Sequence, residues 1–193
     1  AGTADDLELC GRGNDFLDGG TENDVLIGGE GDDSINGGDG VDYVDGGRGV
    51  DIIYLGAHND VATGGEGHDQ IFGNPGDDVI YAGAGDDTVT GGYHSDMLSG
   101  EAGNDTIIGD DGVAAVGVAD NIDGGNGNDT LYGNGGNDTI WGGDGNDYLQ
   151  GDDGADALRP QGGYDYLSGG VGADSFLFDQ TGFKQDAILD FAQ

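Results

Sequence analysis

The sequence predicts an all-β fold made by repetition, with one short strand every nine residues and glycine-rich turns between them. Three observations carry that reading. Residues 124–150 are three tandem nonapeptides, G-G-N-G-N-D-T-L-Y, G-N-G-G-N-D-T-I-W and G-G-D-G-N-D-Y-L-Q. Asp holds the sixth place in each (Asp129, Asp138, Asp147) and an aliphatic the eighth (Leu131, Ile140, Leu149). The chain has 46 Gly but only 2 Pro, and the glycines recur on a period of nine, which excludes collagen. Finally, 40 Asp and Glu stand against 4 Lys and Arg, a formal charge of −36. Such charge with low hydrophobicity ordinarily means disorder. A register kept this long argues instead for a fold that something else must stabilise.

The register runs through nearly the whole chain. Nonapeptides fill residues 1–108, with Asp at 6, 15, 24, 33, 42, 51, 60, 69, 78, 87, 96 and 105, and resume over 124–177. The segment 109–123 is one repeat with six extra residues, and Asp120 and Ile122 still hold the sixth and eighth positions. Within a repeat, glycine at positions 1, 2 and 4 permits the left-handed angles of a tight six-residue turn. The last three residues then form a strand whose alternation points position 8 inward. The expected core is Leu17, Leu26, Ile35, Val44, Ile53, Ile71, Ile80, Val89, Leu98 and Ile107, continuing from Ile122 to Phe176. One buried aliphatic per nine ordered residues is little apolar burial for the entropy it must offset.

The pattern G-G-x-G-x-D-x-U-x resembles the RTX (hemolysin-type) calcium-binding repeat family. The resemblance implies a right-handed parallel β-roll, two nonapeptides making each 18-residue coil. Turns then stack in two columns along the edges. One holds Asp6, Asp24, Asp42, Asp60, Asp78 and Asp96, then Asp138, Asp156 and Asp174; the other holds Asp15, Asp33, Asp51, Asp69, Asp87 and Asp105, then Asp129, Asp147 and Asp165. Carboxylates stacked about 4.8 Å apart repel one another, so a cation is expected between them. In the family each turn is half a calcium site and the next turn in its column completes it. The expected side-chain ligands are Asp15, Asp24, Asp33, Asp42, Asp51, Asp69, Asp78, Asp87, Asp105, Asp129, Asp138, Asp147, Asp156, Asp165 and Asp174. Backbone carbonyls are expected from Gly29, Gly31, Gly47, Gly49, Gly65, Gly67, Gly125, Gly127, Gly143 and Gly145. The oxygen-rich, flexible turns suit Ca²⁺ better than Mg²⁺, with on the order of ten ions bound. Metal binding would then supply folding free energy.

The two columns are unequal. In the second, five turns keep the full G-G-x-G-x-D pattern, whereas position 4 of the first column carries Glu22, His58 and His94. These lie 36 residues apart, as do Arg12 and Arg48, and Glu30 and Glu66, which marks a super-repeat of four nonapeptides. A side chain at a left-handed position is strained, so the sites near Glu22, His58 and His94 are expected to be weak or empty.

Other constellations dissolve under this register. His58 and His94 fall two coils apart and His68 on the opposite edge; there is no H-E-x-x-H, no G-x-S-x-G and no Cys–His pair. The chain is therefore expected to have no catalytic residues of its own. The single Cys10 excludes an internal disulfide. Outward at position 7 of the first column run Leu7, Val25, Tyr43, Val61, Val79 and Met97, either a β-forming solvent face or a contact for a flanking domain or second chain. The insertion Val113–Ala119 is placed to cover part of that face. No apolar run has membrane-spanning length, no signal peptide appears, and no nucleic-acid partner is expected.

Two domains follow: a roll over 1–177, with the insertion at 109–123, and a truncated C-terminal cap over 178–193. The D-x-I-x-D-F pattern at 186–191 resembles the strand that closes such rolls. The resemblance implies a secreted or cell-surface bacterial module that folds on extracellular calcium and supports export, folding and stability of a larger protein. Two alternatives stand beside it: a polysaccharide-binding or self-associating module, and an appendage of a secreted protease, lipase or epimerase whose flanking domains lie outside this chain.

Overall fold

A computed structural model describes residues 4–111, 118–178 and 186–190, and in them the chain is an all-β parallel solenoid without helix. One ten-stranded sheet contains β1 (Leu7–Leu9), β3 (Val25–Glu30), β5 (Tyr43–Arg48), β7 (Val61–Glu66), β9 (Val79–Ala84), β11 (Met97–Ala102), β13 (Asn121–Asn126), β15 (Thr139–Asp144), β17 (Ala157–Gly162) and β19 (Ser175–Phe176). The other contains β2 (Phe16–Thr21), β4 (Ser34–Asp39), β6 (Ile52–Ala57), β8 (Gln70–Pro75), β10 (Thr88–Tyr93), β12 (Thr106–Asp110), β14 (Thr130–Gly135), β16 (Tyr148–Gly154), β18 (Tyr166–Gly172) and β20 (Ala187–Asp190). Successive strands alternate between the sheets, and all pairs are parallel. Partners lie 18 residues apart, as in Leu26 with Val44, 24 apart across the insertion, as in Leu98 with Ile122, and 21 apart where β18 meets β20, as in Leu167 with Ile188. The coil of two nonapeptides is thus the observed architecture, a parallel β-roll.

Two local expectations need correction. Most strands are six residues long, not three, because pairing runs on through positions 2 and 3 of the next repeat: Gly29 pairs with Gly47 and Glu30 with Arg48. In a solenoid the glycines follow the ladder of the coil beside them, so only positions 4–6 are left to turn. Position 1 glycines, moreover, do not adopt left-handed angles; those fall at positions 2 and 4, as at Gly47 (φ 105°) and Gly49 (φ 130°). Position 1 needs glycine for space. A Cβ on Gly46 would stand 2.6 Å from both Asp51 Oδ2 and the Gly64 carbonyl.

The core is a single file along the axis. Leu17, Leu26, Ile35, Val44, Ile53, Ile71, Ile80, Val89, Leu98, Ile107, Ile122, Leu131, Ile140, Leu149, Leu158 and Leu167 are all buried. Leu55 and Ala82 join them from position 1, which also faces inward. Phe176 ends the file only partly buried. Outside, Leu7, Val25, Tyr43, Val61 and Met97 are exposed and Val79 half-buried, each paired with the next along the first sheet. Of the insertion Val113–Ala119, residues 113–117 lie outside the described residues. The 36-residue super-repeat also has a physical reason: exposed Arg12 pairs with Glu30 at 3.1 Å and Arg48 with Glu66 at 3.3 Å, so charge alternates from coil to coil at position 3.

Candidate metal centres

Each position-6 Asp is fixed by the coil before it. The Asp33 amide donates to Asp51 Oδ1 at 2.7 Å, and the Asp51 amide in turn donates to Asp69 Oδ1 at 2.9 Å. The same bond links Asp6 through Asp24, Asp42, Asp60, Asp78, Asp96, Asp120, Asp138 and Asp156 to Asp174. On the other edge it links Asp15 through Asp33, Asp51, Asp69, Asp87, Asp105, Asp129, Asp147 and Asp165 to Asp186. These are the two columns expected from the sequence. Each column carries one member beyond the expected set of ligands and their regular series, Asp120 and Asp186.

One oxygen of each carboxylate is thereby used. The other is not. Oδ2 of every column Asp from Asp24 to Asp165 is buried and has no hydrogen-bond partner. An unpartnered buried carboxylate oxygen is costly, and a row of them costs more, since each neighbour carries the same charge. Burial raises the carboxyls well above their usual range: Asp51, Asp69, Asp78, Asp156 and Asp165 to about 6, and Asp60, Asp105, Asp120, Asp138 and Asp147 to about 7. The donated amide pulls each value down, and for most of them the next Asp in the column pushes it up again.

Carbonyls supply the remaining oxygens. The carbonyls of Gly29, Gly31, Gly47, Gly49, Gly65 and Gly67 point along the column onto the matching glycine of the following coil, as do Gly125, Gly127 and Gly145; a Cβ at any of those receiving positions would strike the oxygen. At Gly40, the Glu22 carbonyl of one coil and Asp42 Oδ1 of the next converge on the same place. At position 2 the carbonyl is shared with the ladder, as where Gly11 accepts the Glu30 amide at 2.7 Å. Among the described residues, no three His, Cys, Asp or Glu side chains gather into a metal cluster. Each gap offers one carboxylate per turn plus backbone oxygens, a donor set suited to a hard cation that accepts six to eight oxygens and loose geometry. The arrangement fits Ca²⁺ and gives a zinc ion no nitrogen or sulfur ligands.

The first column differs as expected at position 4. Glu22, His58 and His94 hold φ of 80°, 90° and 80°, the region where a side chain is strained. The same occurs at position 2 in Asn74, Glu101, Asn134, Asp152 and Gln161, which the sequence reading passed over. It also missed position 5. There Asn104 Oδ1 accepts the Asn128 amide at 2.9 Å, and Asn128 Oδ1 the Asn146 amide at 2.8 Å, so the recurrent Asn and Asp of position 5 form an outer ladder. Recurrence of Asn or Asp just before the column Asp was the available signal. At the C-terminal end Asp190 accepts the Gly169 and Gly170 amides at 2.9 and 3.2 Å, closing the last open turn.

Fold and donor set together define a repetitive cation-binding solenoid. A family model described as "RTX calcium-binding nonapeptide repeat (4 copies)" matches residues 11–44, 18–53, 36–71, 54–89, 90–113 and 123–158, well over half of the chain. The chain belongs to this hemolysin-type calcium-binding repeat family. Comparison with curated proteins finds no match.

Proposed function

We propose that this chain is a calcium-dependent folding module of a larger secreted bacterial protein, without catalytic residues of its own. The row of buried, unpartnered Oδ2 atoms carries the reading. Metal-free at neutral pH, the roll must either bury like charges side by side or protonate them; calcium in the gaps removes that cost, so binding and folding become one equilibrium. Asp15 through Asp174 of the two columns would hold the ions with the carbonyls of Gly29, Gly31 and their counterparts. The ions would supply only charge and coordination. Such a chain stays unfolded where calcium is scarce and folds where it is plentiful, which suits export. Isothermal titration with calcium tests this. On the order of ten ions per chain are expected, and magnesium at equal concentration should not replace them. Absence of saturable calcium binding would refute it.

One observation favours polysaccharide binding as a second activity. A groove of about 540 Å³ on the outer face of the first sheet is lined by Tyr81, Met97, Ser99, Asn121, Asp123, Trp141 and Gln161. Two aromatic rings flank amide, hydroxyl and carboxylate groups there, as a sugar ring would require. Glycan-array binding lost in Trp141→Ala would support it, and no binding by the folded chain would remove it.

A further inference from the structure

The groove on the outer face of the first sheet has an acid in its floor and an aromatic ring at each end. Register places Tyr81, Ser99, Asp123 and Trp141 in one row, at position 9 on β9, β11, β13 and β15. Neighbouring strands stand about 4.8 Å apart, so the two rings are separated by about 14 Å along the roll. Between them the row drops to a hydroxyl and a carboxylate, which hollows the groove. Met97 and Asn121, paired with each other at position 7, line its side. Further along the same sheet position 9 carries Asp45, Thr63 and Arg159, so neither the core nor the turns dictate what stands there.

Asp123 is the informative residue. It is exposed, and among the described residues it forms no ion pair. Arg12 and Arg48 are taken by Glu30 and Glu66. Arg159 continues the row beyond Trp141, two strands from Asp123 and outside the groove lining. A carboxylate can accept from a sugar hydroxyl, but its charge gains most from a cation. Trp141 is one strand spacing away, and aromatic faces attract ammonium groups. The field of the whole chain points the same way. Its formal charge is −36, and on the order of ten bound calcium ions would leave it negative. An acidic polysaccharide would have to enter that field and lie over Asp123 to touch both rings, with only Arg159 nearby to draw it.

We propose that this groove takes a basic polysaccharide, one whose sugar rings carry free, protonated amines. Asp123 selects the amine, and Tyr81 and Trp141 are the ring platforms on either side. The inference rests on the polysaccharide reading above and names the class of sugar. N-acetylation would remove the charge that Asp123 recognises and leave only the ring faces and the hydrogen bonds of Ser99, Asn121 and Gln161. The span between the rings exceeds one sugar ring, so the ligand is an oligomer, lying along the roll axis.

The test uses the full chain in saturating calcium, with its β structure verified by circular dichroism. Tetramers of glucosamine (amines protonated), N-acetylglucosamine, glucose and a uronic acid are compared by calorimetry and by the fluorescence of Trp141, the single tryptophan. The glucosamine tetramer should bind about tenfold more tightly than its acetylated form and change the Trp141 signal. Asp123→Asn should bring it to the level of the acetylated form. Asp45→Asn makes the same charge change in the same row outside the groove and should keep the preference. If Asp123→Asn also keeps it, the amine is drawn by the general charge of the roll and the inference falls. It falls too if the glucose or uronic acid tetramer binds best, although the polysaccharide reading then stands. Binding of none of the four would overturn both. Should Asp123→Asn not fold, Asp123→Ser installs the residue that the row carries at Ser99 and decides between the same outcomes.

Discussion

The turns Gly46–Asp51 and Leu55–Asp60 follow one another in sequence and lie on opposite edges of the roll. Their carboxylates are held alike: the Asp33 amide donates to Asp51 Oδ1 and the Asp42 amide to Asp60 Oδ1, both at 2.7 Å. Their surroundings differ. Gly46 leaves room beside Asp51 Oδ2, and Gly47 and Gly49 take left-handed angles without strain. In the second turn Leu55 fills position 1 and sinks into the core, and His58 is forced to φ 90°. Burial lifts the Asp60 carboxyl to about 7 and that of Asp51 to about 6. The coil ladder therefore places the carboxylate, whereas the glycines decide what oxygens and what space surround it. A turn can keep the geometry of its Asp and still lose much of a cation site.

The largest expected effect follows directly. Asp51→Asn removes one charge from between two intact turns, so the calcium-bound roll should lose about 3–5 kcal/mol in denaturant unfolding. Asp60→Asn should cost about 1 kcal/mol or less, as for an isolated amide bond kept by asparagine. Equal losses would show that glycine content does not rank the sites.

Smaller and opposite effects are expected at position 4. Gly49→Ala places a methyl at φ 130° and against the Gly31 carbonyl, and should cost at least about 1–2 kcal/mol. His58→Gly relieves strain of the same kind and should add about 1 kcal/mol, while lowering the calcium needed for folding. A destabilised His58→Gly would mean that the imidazole contributes something the backbone strain conceals.

The weakest effect concerns the chain in excess chelator. The carboxyls of Asp51, Asp60 and Asp96 stand at about 6, about 7 and about 8 in the folded roll, above the ordinary 3.8. The folded state therefore binds protons that the unfolded chain releases, so stability is gained as pH falls through 8 toward 4 and lost as it rises. Circular dichroism without calcium should show partial β structure near pH 4 that disappears between about pH 6 and pH 8. Signal increasing with pH would contradict the sign.

Much of this was legible because the nine-residue period fixes both which residues share an edge and which face inward. The columns from Asp6 to Asp174 and the file of aliphatics needed only the register and the coil of 18. Strand length was not legible, since glycine reads locally as a turn and only the neighbouring coil makes it part of a ladder. Position 1 looked like a conformational requirement and proved to be a spatial one, set by an oxygen from elsewhere in the chain. Asp110, the one buried acid among the described residues that does not hold position 6, was hidden, since no pattern in 109–123 announces its burial. Asp186 and Asp190 were legible as a motif but not as acceptors for the last amides of the roll.

The most direct test of the central claim, that cations between stacked carboxylates make this roll fold, is a far-ultraviolet circular dichroism titration at neutral pH, followed in parallel by Trp141 fluorescence. In excess chelator the spectrum should be that of an unfolded chain, and millimolar calcium should produce a cooperative β signal. A full β spectrum in chelator, unchanged by calcium, would contradict it.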